Sequence, residues 1–357
     1  MAATQTLPAQ RRTQDFTKSA RLATPTVAIV GATGAVGVEL MRCLEKRWFP
    51  LSGLRLIASP RSAGKSLGFA GVAFPVEALA PSSFERIDIA LFSAGSGLAR
   101  EWAPRAVAAG AIVIDNSSAF RMDADVPLVV PEINSQTIRH HGGIIANPNC
   151  VAIVAAMALW PIHRRNPIRR LIMSTYQSAS GAGAAAMAEL TQATAAALAG
   201  RDFAPAVLPH PYAFNLFSHN TPIDPATGAN GEETKVINET RKIMDAPALR
   251  VSVTCVRVPV LRAHSMALTV ECAEPVTPET VRAWLAEAPG VRVVDDTLRN
   301  HFPMPVEASG GDDVLVGRIR ADASDPSGRS VALFVAGDQL LKGAALNAVQ
   351  IAERVLQ

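Results

Sequence analysis

The chain has 357 residues, enough for two domains, and its 49% hydrophobic and 18% charged residues argue against a disordered or collagen-like chain. Its 34 basic and 31 acidic residues give a net charge of +3, which lies in residues 1–24, and the neutral body argues against a nucleic-acid groove or a membrane surface as its main partner. Four cysteines, none in a CxxC pair, cannot form a disulfide scaffold and favour a reducing compartment.

Residues 1–24 are polar, rich in threonine and nearly free of acidic residues. They lack the apolar stretch of a secretory signal, so we expect a flexible leader and a cytoplasmic protein, with an organelle transit peptide as the alternative. The longest apolar run, at 151–162, is interrupted by Pro161 and is shorter than the ~20 residues of a membrane-spanning helix.

The segment 26–115 alternates short apolar runs with helical patterns. The runs at 27–30, 54–58, 87–92 and 111–115 predict strands, and the stretches at 38–48 and 99–109 predict helices. Short apolar strands separated by helices predict an α/β fold with a Rossmann-like, doubly wound parallel sheet. We place this first domain at 25–149.

The pattern changes after residue 150. An alanine-rich helix is predicted at 181–198 with Gly200 as its stop, and the proline-rich segment 201–231 is expected to be irregular. Strands are predicted at 251–260, 267–271, 314–319 and 331–336, which indicates an α+β domain at 150–339. Apolar residues at helical spacing predict a last helix at 340–356, and we expect residues 340–357 to pack back on the first domain.

Gly31, Gly34 and Gly37 lie between the first predicted strand and the first predicted helix. Such a turn lets backbone N–H groups and a helix N-terminus approach a pyrophosphate, so it predicts a dinucleotide site; a tight structural turn is the alternative. The second strand ends before Arg61 and Ser62, without the acidic residue that NAD enzymes usually place there. These two side chains suit a ribose 2′-phosphate, which favours NADP over NAD unless this is only a solvated basic loop.

Cys150 follows an Asn-Pro-Asn turn and precedes an apolar run, which predicts a position in the first turn of a buried helix. Backbone N–H groups and the helix dipole favour a thiolate there, the form that a covalent nucleophile requires, although a cysteine at a helix start is more often structural.

Several charged residues and a histidine accompany this cysteine. Arg257 and His264 flank a proline-containing turn, Glu232 and Lys235 share one helix face, and Arg121 follows a predicted strand of the first sheet. Each alone is as easily a surface charge or a core-edge histidine. Together with a thiol beside a nucleotide fold, they suggest acyl transfer combined with hydride transfer.

Seven motifs in this order resemble those of the aspartate-β-semialdehyde dehydrogenase family: GATGAVG, SPRSAGK, DNSSAFR, NPNC, YQSASGAG, GEETKV and CVRVPVLRAHS. The resemblance extends from about Thr26 to the C-terminus and includes the closing GDQLLKGAALNAVQIAE. The chain departs from many relatives at Val151, where they have a small hydroxyl residue, and at Gln339, where many have Asn.

The resemblance implies a role for each motif residue. Cys150 would form an acyl thioester, His264 would be the general acid/base, and Gln177 would orient the substrate. Arg257 and Glu232 would bind the carboxylate and ammonium groups of the amino acid, and phosphate would be bound by Arg121, Lys235 and Asn149. NADP would contact Gly31, Thr33, Gly34, Ala35, Val36, Gly37, Arg61, Ser62, Ser180, Gly181 and Gln339; no metal is expected.

The family reaction converts β-aspartyl phosphate and NADPH to aspartate semialdehyde, NADP and phosphate, on the route to lysine, threonine, methionine and diaminopimelate. The resemblance also implies a homodimer or homotetramer. One alternative is an N-acetyl-glutamyl-phosphate reductase, whose nucleophile motif has Gly before the cysteine and an aromatic residue after it, unlike Asn149 and Val151. The others are a malonyl-CoA reductase-like enzyme and a non-catalytic paralogue.

Overall fold

A computed structural model describes residues 23–357, so nearly all of the leader predicted at 1–24 lies outside the described residues. From residue 23 to the middle of the chain there are seven strands: β1 (Thr26–Val30), β2 (Gly53–Ala58), β3 (Ser66–Phe69), β4 (Val72–Ala78), β5 (Ile89–Phe92), β6 (Ile112–Asp115) and β7 (Ile144–Ala146). The helices of this first half are α1 (Ala35–Lys46), α2 (Ser96–Ala108) and α3 (Pro131–Asn134), with short 3₁₀ turns at Pro60–Ser62, Pro81–Phe84 and Ser135–His140.

These strands form one sheet in the order β3-β4-β2-β1-β5-β6-β7. All neighbours are parallel except β3 and β4, which form an antiparallel hairpin at one edge. The parallel strands follow the order 3-2-1-4-5-6 of a doubly wound dinucleotide-binding sheet, as predicted. Strand order reverses between β1 and β5, and the carboxyl ends of these two strands are where such a sheet binds its ligand.

The second half contains another seven strands: β8 (Ile168–Gln177), β9 (Phe217–Ser218), β10 (Arg250–Arg257), β11 (His264–Cys272), β12 (Val291–Val293), β13 (Val314–Ala321) and β14 (Ser330–Gly337). Its helices are α4 (Cys150–His163), α5 (Ala184–Leu198), α6 (Gly231–Ile243), α7 (Pro278–Ala286), α8 (Pro305–Ala308) and α9 (Leu346–Val355), with a 3₁₀ turn at Ala179–Ala182 and a π-helical turn at Leu341–Ala345 before α9. The strands form a mixed sheet in the order β12-β13-β14-β11-β8-β10-β9.

One face of this second sheet is buried and the other is open in the single chain. Leu171 and Met173 of β8 face a large apolar core that includes nearly all of α4. Ile172 and Tyr176, at alternate positions of the same strand, point the opposite way and are 39% and 37% exposed. An antiparallel-rich sheet with apolar residues on its uncovered face is typical of an interface.

The C-terminal helix packs on the first sheet. Leu346 and Val349 of α9 belong to the same apolar cluster as Val27 and Ile29 of β1. The chain therefore crosses back to the first core after completing the second sheet, while the division at residue 150 stays a prediction. Within residues 23–357, no helix is both long and apolar enough to cross a bilayer.

Several predicted boundaries are wrong for local reasons. The helix predicted at 181–198 begins only at Ala184, because Gly183 has φ +93° and interrupts helical geometry. The strand predicted at 251–260 ends at Arg257, two residues before Pro259, which cannot donate a ladder hydrogen bond. Strand β8, the central neighbour of both β10 and β11, was not predicted at all.

Candidate active site

The glycine loop follows β1 and opens α1. A Cβ on Gly31, which has φ +91°, would lie 2.2 Å from the Ser93 carbonyl oxygen, and a Cβ on Gly37 would lie 2.2 Å from the Gly31 carbonyl oxygen. Packing of the turn alone therefore requires these two glycines. A Cβ on Gly34 would meet only the Gly31 oxygen, at 3.3 Å, so the space in front of the α1 N-terminus stays open for a ligand.

The carboxyl end of β2 lies beside this loop. Thr33 donates to Ser62 over 3.3 Å between hydroxyl oxygens, which ties the glycine loop to the 3₁₀ turn that carries Arg61. Arg61 and Lys65 are exposed, and no acidic residue stands between Ser59 and Lys65. The structure thus brings together the two segments that the sequence assigns to a cofactor.

A cavity of about 250 Å³ lies at the junction of the two halves. Its walls come from the glycine loop, the ends of β5, β6 and β7, the start of α4, the turn after β8 and the π-helical turn. The lining residues are Val36, Ser93, Ala94, Asn116, Arg121, Asn147, Pro148, Asn149, Cys150, Ser180, Gly181, Gln339, Leu340, Gly343 and Ala344. Cys150 therefore faces the same space as the end of the glycine loop.

Cys150 is the first residue of α4, as predicted. The Asn149 side-chain oxygen caps this helix and accepts from the N–H groups of Val151 at 2.9 Å and Ala152 at 3.3 Å. Gly343 of the π-helical turn packs directly on the cysteine, since a Cβ there would lie 2.9 Å from the Cys150 Cβ. Cys150 is thus held between a capped helix start and the C-terminal segment.

The N–H at the helix start lowers the pKa of the Cys150 thiol, as predicted, but other groups around the sulfur have the larger effect. Burial and the Glu232 carboxylate raise the pKa of the thiol to about 12, and they outweigh Arg121, Arg257 and the helix-start N–H, which lower it. The resting side chain is therefore a thiol, and attack on a substrate requires a group that removes its proton.

Glu232 stands at the start of α6 and is buried. Its Oε1 accepts from the side-chain amides of Asn149 at 2.9 Å and Gln177 at 3.2 Å, and Lys235 Nζ lies 3.6 Å from its Oε2. Burial opposes ionisation, but the neighbouring His219 imidazole, these hydrogen bonds and Lys235 outweigh it and lower the pKa of Glu232. The site therefore keeps a buried carboxylate, which is the partner that an ammonium group needs.

Arg257 ends β10 and is only 4% exposed. Its guanidinium contacts the Asn220 side-chain oxygen at 3.4 Å and the Ser178 carbonyl oxygen at 3.3 Å. Among residues 23–357, no carboxylate oxygen lies within 4.0 Å of it, in contrast to the paired Arg121. A buried arginine without an acidic partner is prepared to bind an anion.

His264 begins β11 and is fully buried. Its Nδ1 accepts from the backbone N–H of Ser178 at 3.0 Å, while its Nε2 has no hydrogen-bond partner among the described residues. A Cβ on Gly181 would lie 2.9 Å from Nε2 and 3.1 Å from the Arg257 guanidinium, so this glycine leaves space in front of both groups. Burial and Arg257 lower the pKa of the imidazole to about 3, which keeps it neutral.

Arg121, predicted to bind phosphate, lines the cavity but is not free. It donates to the carbonyl oxygens of Asn147 at 2.9 Å and Asn116 at 2.7 Å, and it pairs with Glu239 at 3.1 Å. These contacts use three of its five N–H groups and leave two for a ligand.

Ser180 and Gln339, predicted to contact the cofactor, both line the cavity and also bond to each other, with the Gln339 amide as donor. The structure thus brings most of the predicted site residues together. One cavity is lined by Val36, Arg121, Asn149, Cys150, Ser180, Gly181 and Gln339. Around it, through the contacts above, lie Gln177, Glu232, Arg257 and His264. Arg61 and Ser62 lie apart, at the end of β2. The described residues contain no cluster of three or more His, Cys, Asp or Glu side chains that could hold a metal ion.

Sequence reasoning missed Glu239, Ser178 and Gly343. Glu239 is 1% exposed and accepts from the Asn149 backbone N–H at 2.5 Å as well as from Arg121. It lies seven residues after Glu232, on the same face of α6, and an acidic residue on an otherwise buried helix face was the available signal. Ser178 contributes mainly its backbone N–H and carbonyl groups, and a sequence does not reveal where such groups point.

Comparison with known proteins gives concordant matches for both halves. Residues 26–141 match the family described as semialdehyde dehydrogenase, NAD binding domain, and residues 159–342 match semialdehyde dehydrogenase, dimerisation domain. The chain is 53% identical over 331 residues to an aspartate-semialdehyde dehydrogenase of Synechocystis sp., covering 93% of this chain and 97% of that relative. A relative of the same description from Prochlorococcus marinus is 49% identical, with 93% and 96% covered.

A solved structure is similar over the same range. The crystal structure of aspartate semialdehyde dehydrogenase II from Vibrio cholerae, complexed with ASA, has a TM-score of 0.89 and 42% identity, covering 93% of this chain and 98% of that chain.

Proposed function

Since the chain belongs to the aspartate-semialdehyde dehydrogenase family, whose members are oxidoreductases acting on aspartate semialdehyde, we propose that it reduces β-aspartyl phosphate with NADPH through a thioester on Cys150. The observation that carries this proposal is the position of Cys150 in the cavity that the glycine-loop residue Val36 also lines. The products are aspartate semialdehyde, NADP and phosphate, in the biosynthesis of lysine, threonine, methionine and diaminopimelate.

The charges around the cavity match the charges of this substrate. Arg257, which has no acidic partner among the described residues, binds the α-carboxylate, and the ionised Glu232 binds the ammonium group. Arg121, Lys235 and Asn149 bind the phosphate. An N-acetylated substrate has no ammonium group, so it would leave the buried Glu232 without a cationic partner; this disfavours the N-acetyl-glutamyl-phosphate reductase alternative.

The thioester divides one difficult displacement into two steps. The Cys150 Sγ forms a bond to the acyl carbon while the bond from that carbon to the phosphate oxygen breaks. When bound, the dinucleotide supplies the hydride that reduces the acyl carbon. Gln177 orients the acyl group, and His264, whose Nε2 has no hydrogen-bond partner among the described residues, is the general acid/base.

The residues present fit a dinucleotide with a 2′-phosphate. Gly34 places no side chain over the N-terminus of α1, so the first-turn N–H groups are available to pyrophosphate oxygens. Thr33, Ala35 and Val36 complete this loop. Arg61, with Ser62 beside it, provides a cation where NAD enzymes usually place an acid, and on this basis we assign NADP.

The uncovered face of the second sheet supports a homodimer. Ile172 and Tyr176 lie on this face, and the Tyr176 and Phe334 rings are 6.1 Å apart between centroids. The matched family description of this half is a dimerisation domain. We assign the face to a two-fold contact between copies of the chain, and the four free cysteines suit a reducing cytoplasm.

A phosphate-dependent assay tests the function. The purified chain is mixed with aspartate semialdehyde and NADP, with and without inorganic phosphate or arsenate, and NADPH formation is followed by absorbance. We expect turnover only with phosphate or arsenate, and its loss in Cys150→Ser with NADP binding retained. The matched variant Cys43→Ser, in the core of the first half, should retain turnover. Phosphate-independent turnover, or an active Cys150→Ser, would refute the covalent route.

Cofactor choice is tested separately through Arg61. We expect Arg61→Ala to raise the KM for NADP about tenfold or more, because it removes a charged contact to the 2′-phosphate, and to leave the KM for NAD unchanged. Arg139→Ala, which removes another exposed arginine of the first half, is the control. Equal effects of Arg61→Ala on both cofactors would refute the assignment.

A further inference from the structure

Lys342 is a buried cation that the proposed reaction does not use. It lies in the π-helical turn before α9, immediately before the glycine that packs on Cys150. Its ammonium group has three protons, and Nζ has three oxygen acceptors: Glu132 at 2.5 Å, Asn347 at 3.0 Å and Gln350 at 2.7 Å. The Gln350 amide is fixed in turn, because its nitrogen donates to the Glu132 carboxylate at 2.9 Å. The ammonium group therefore has no proton left for another acceptor.

This ammonium group sets the direction of a chain of hydrogen bonds toward the cavity. An ammonium group only donates, so the Asn347 side chain turns its oxygen to Lys342 and its nitrogen away. That nitrogen donates to the Val129 carbonyl oxygen at 2.9 Å and to the Asn147 side-chain oxygen at 2.7 Å. The Asn147 side-chain nitrogen then donates to the side-chain oxygen of Asn116 at 2.9 Å.

The far end of this chain allows the same direction only. Asn116 Nδ2 donates to the backbone carbonyl oxygen of Phe92 at 2.8 Å, and a carbonyl group can only accept. A group that only donates at one end and a group that only accepts at the other end therefore fix all three side-chain amides. Asn147 and Asn347 are at most 1% exposed, so the protein itself must supply their partners.

Two asparagines of this chain also hold the Arg121 side chain. The Asn147 carbonyl oxygen accepts from Arg121 Nε at 2.9 Å, and the Asn116 carbonyl oxygen accepts from Nη2 at 2.7 Å. Both asparagines line the cavity, and Asn147 Nδ2 also lies 3.4 Å from the Ala344 carbonyl oxygen in the π-helical turn. Rotation of either side-chain amide would set donor against donor and displace the backbone that carries these carbonyl groups.

We propose that Lys342 is a positioning residue that acts through buried asparagines to hold Arg121 in its orientation toward the cavity. This inference rests on the proposed function in one respect, the assignment of Arg121 to phosphate. A cation that only stabilises the fold would, when lost, lower the stability of the enzyme without favouring one substrate over another. A positioning residue instead changes the affinity for phosphate.

The double variant Lys342→Met with Glu132→Gln tests the proposal. It replaces both ions by neutral side chains, so that no buried charge is left unpaired, and it removes the donor that sets the direction of the chain. We expect the KM for inorganic phosphate to rise about tenfold, and the KM values for aspartate semialdehyde and NADP to change less than about twofold. Equal changes in all three KM values, or an unchanged KM for phosphate, would overturn the proposal.

Two single substitutions, each of which removes one acceptor of Lys342, form a matched pair. Asn347→Leu breaks the chain and should raise the KM for phosphate as the double variant does. Gln350→Met removes an acceptor that lies outside the chain, and should leave the KM for phosphate within about twofold of the wild-type value. The same KM for phosphate in both variants would show that the chain does not carry the effect.

Hydrogen exchange at Arg121 needs neither turnover nor phosphate. The Nε–H signal of the ¹⁵N-labelled protein is assigned by its loss in Arg121→Lys. We expect this proton to exchange with solvent about tenfold faster in the double variant and in Asn347→Leu, and at the wild-type rate in Gln350→Met. Unchanged exchange in the double variant would contradict the positioning role. If the wild type shows no phosphate-dependent turnover, the proposed function fails, whereas the exchange rates still decide whether Lys342 positions Arg121.

Discussion

Arg257 is a buried cation that has no acidic partner among residues 23–357, and a planar guanidinium can bind a carboxylate with two hydrogen bonds. Arg257→Lys replaces this fork by a point charge, so we predict a KM for aspartate semialdehyde raised about tenfold and a KM for phosphate changed little. Steady-state kinetics measure both values. Arg250→Lys, on the same strand but exposed, is the control, and equal effects of the two substitutions would contradict the role.

Glu239 holds together the side of the cavity that Arg121 and Asn149 form. Its carboxylate pairs with Arg121, which is 9% exposed in its side chain, and accepts from the Asn149 backbone. Glu239→Gln leaves a buried guanidinium without a counter-charge, so we predict that the free energy of unfolding falls by about 3 kcal/mol. Urea denaturation measures it.

The control for this prediction is Glu287→Gln, which removes a pair with Arg165 at the surface, where the Glu287 side chain is 66% exposed. An exposed pair contributes at most about 1 kcal/mol. A loss in Glu239→Gln no larger than in Glu287→Gln would show that Arg121 does not depend on its partner.

For single residues, the sequence identified the residue types of the candidate site but not their protonation states or their partners. Cys150 was predicted at a helix start, and it is there, yet burial in the surrounding core and Glu232, 82 residues later, raise the pKa of its thiol. Glu239 was missed because its partners lie 118 and 90 residues away along the chain. Charge pairing across such separations depends on tertiary packing, which no local pattern encodes.

Among the elements, the strands of the first sheet were predictable because parallel strands covered on both faces appear as continuous apolar runs. Strand β8 was missed because one of its faces is open, so that Arg169 and Arg170 interrupt its apolar pattern. The apolar residues of the π-helical turn before α9 have the same spacing as those of an α-helix, so the sequence does not distinguish the two. Only the structure shows that Gly343 packs on Cys150 there.

This turn gives a prediction about an element. A Cβ at position 343 would lie 2.9 Å from the Cys150 Cβ and 3.2 Å from the Gln339 Cβ, so Gly343→Ala must displace the start of α4 or the turn itself. We predict a kcat lowered at least about tenfold, because small displacements of a nucleophile are costly. Kinetics combined with a thermal unfolding measurement check this.

Gly97→Ala in α2 is the matched glycine-to-alanine control, because a Cβ there meets nothing within 4 Å. It should leave kcat unchanged and stabilise the helix slightly. Normal activity in Gly343→Ala would mean that the π-helical turn does not position the nucleophile.

Across the whole molecule, the two halves are joined around the cavity by more than apolar packing. Arg262 donates to Glu39 of α1 at 2.8 Å and to Asp338, at the end of the second sheet, at 2.6 Å. Lys342 is buried and its Nζ contacts Glu132 at 2.5 Å and Gln350 at 2.7 Å. These links fix the dinucleotide loop relative to Cys150, so the cavity depends on the complete chain rather than on either half.

The association of two chains gives the prediction for the whole molecule. Ile172 points out of the uncovered face of the second sheet, whereas its backbone pairs with β10 and β11, so Ile172→Glu should leave the fold intact and place a charge in the contact. We predict that this substitution weakens the proposed dimer about a hundredfold or more and halves the mass measured by light scattering at micromolar concentration. Leu298→Glu, at a side chain that is 97% exposed, introduces the same charge away from the sheet and should keep the mass of the wild type. A dimer that survives Ile172→Glu but dissociates in Leu298→Glu would place the contact elsewhere on the surface.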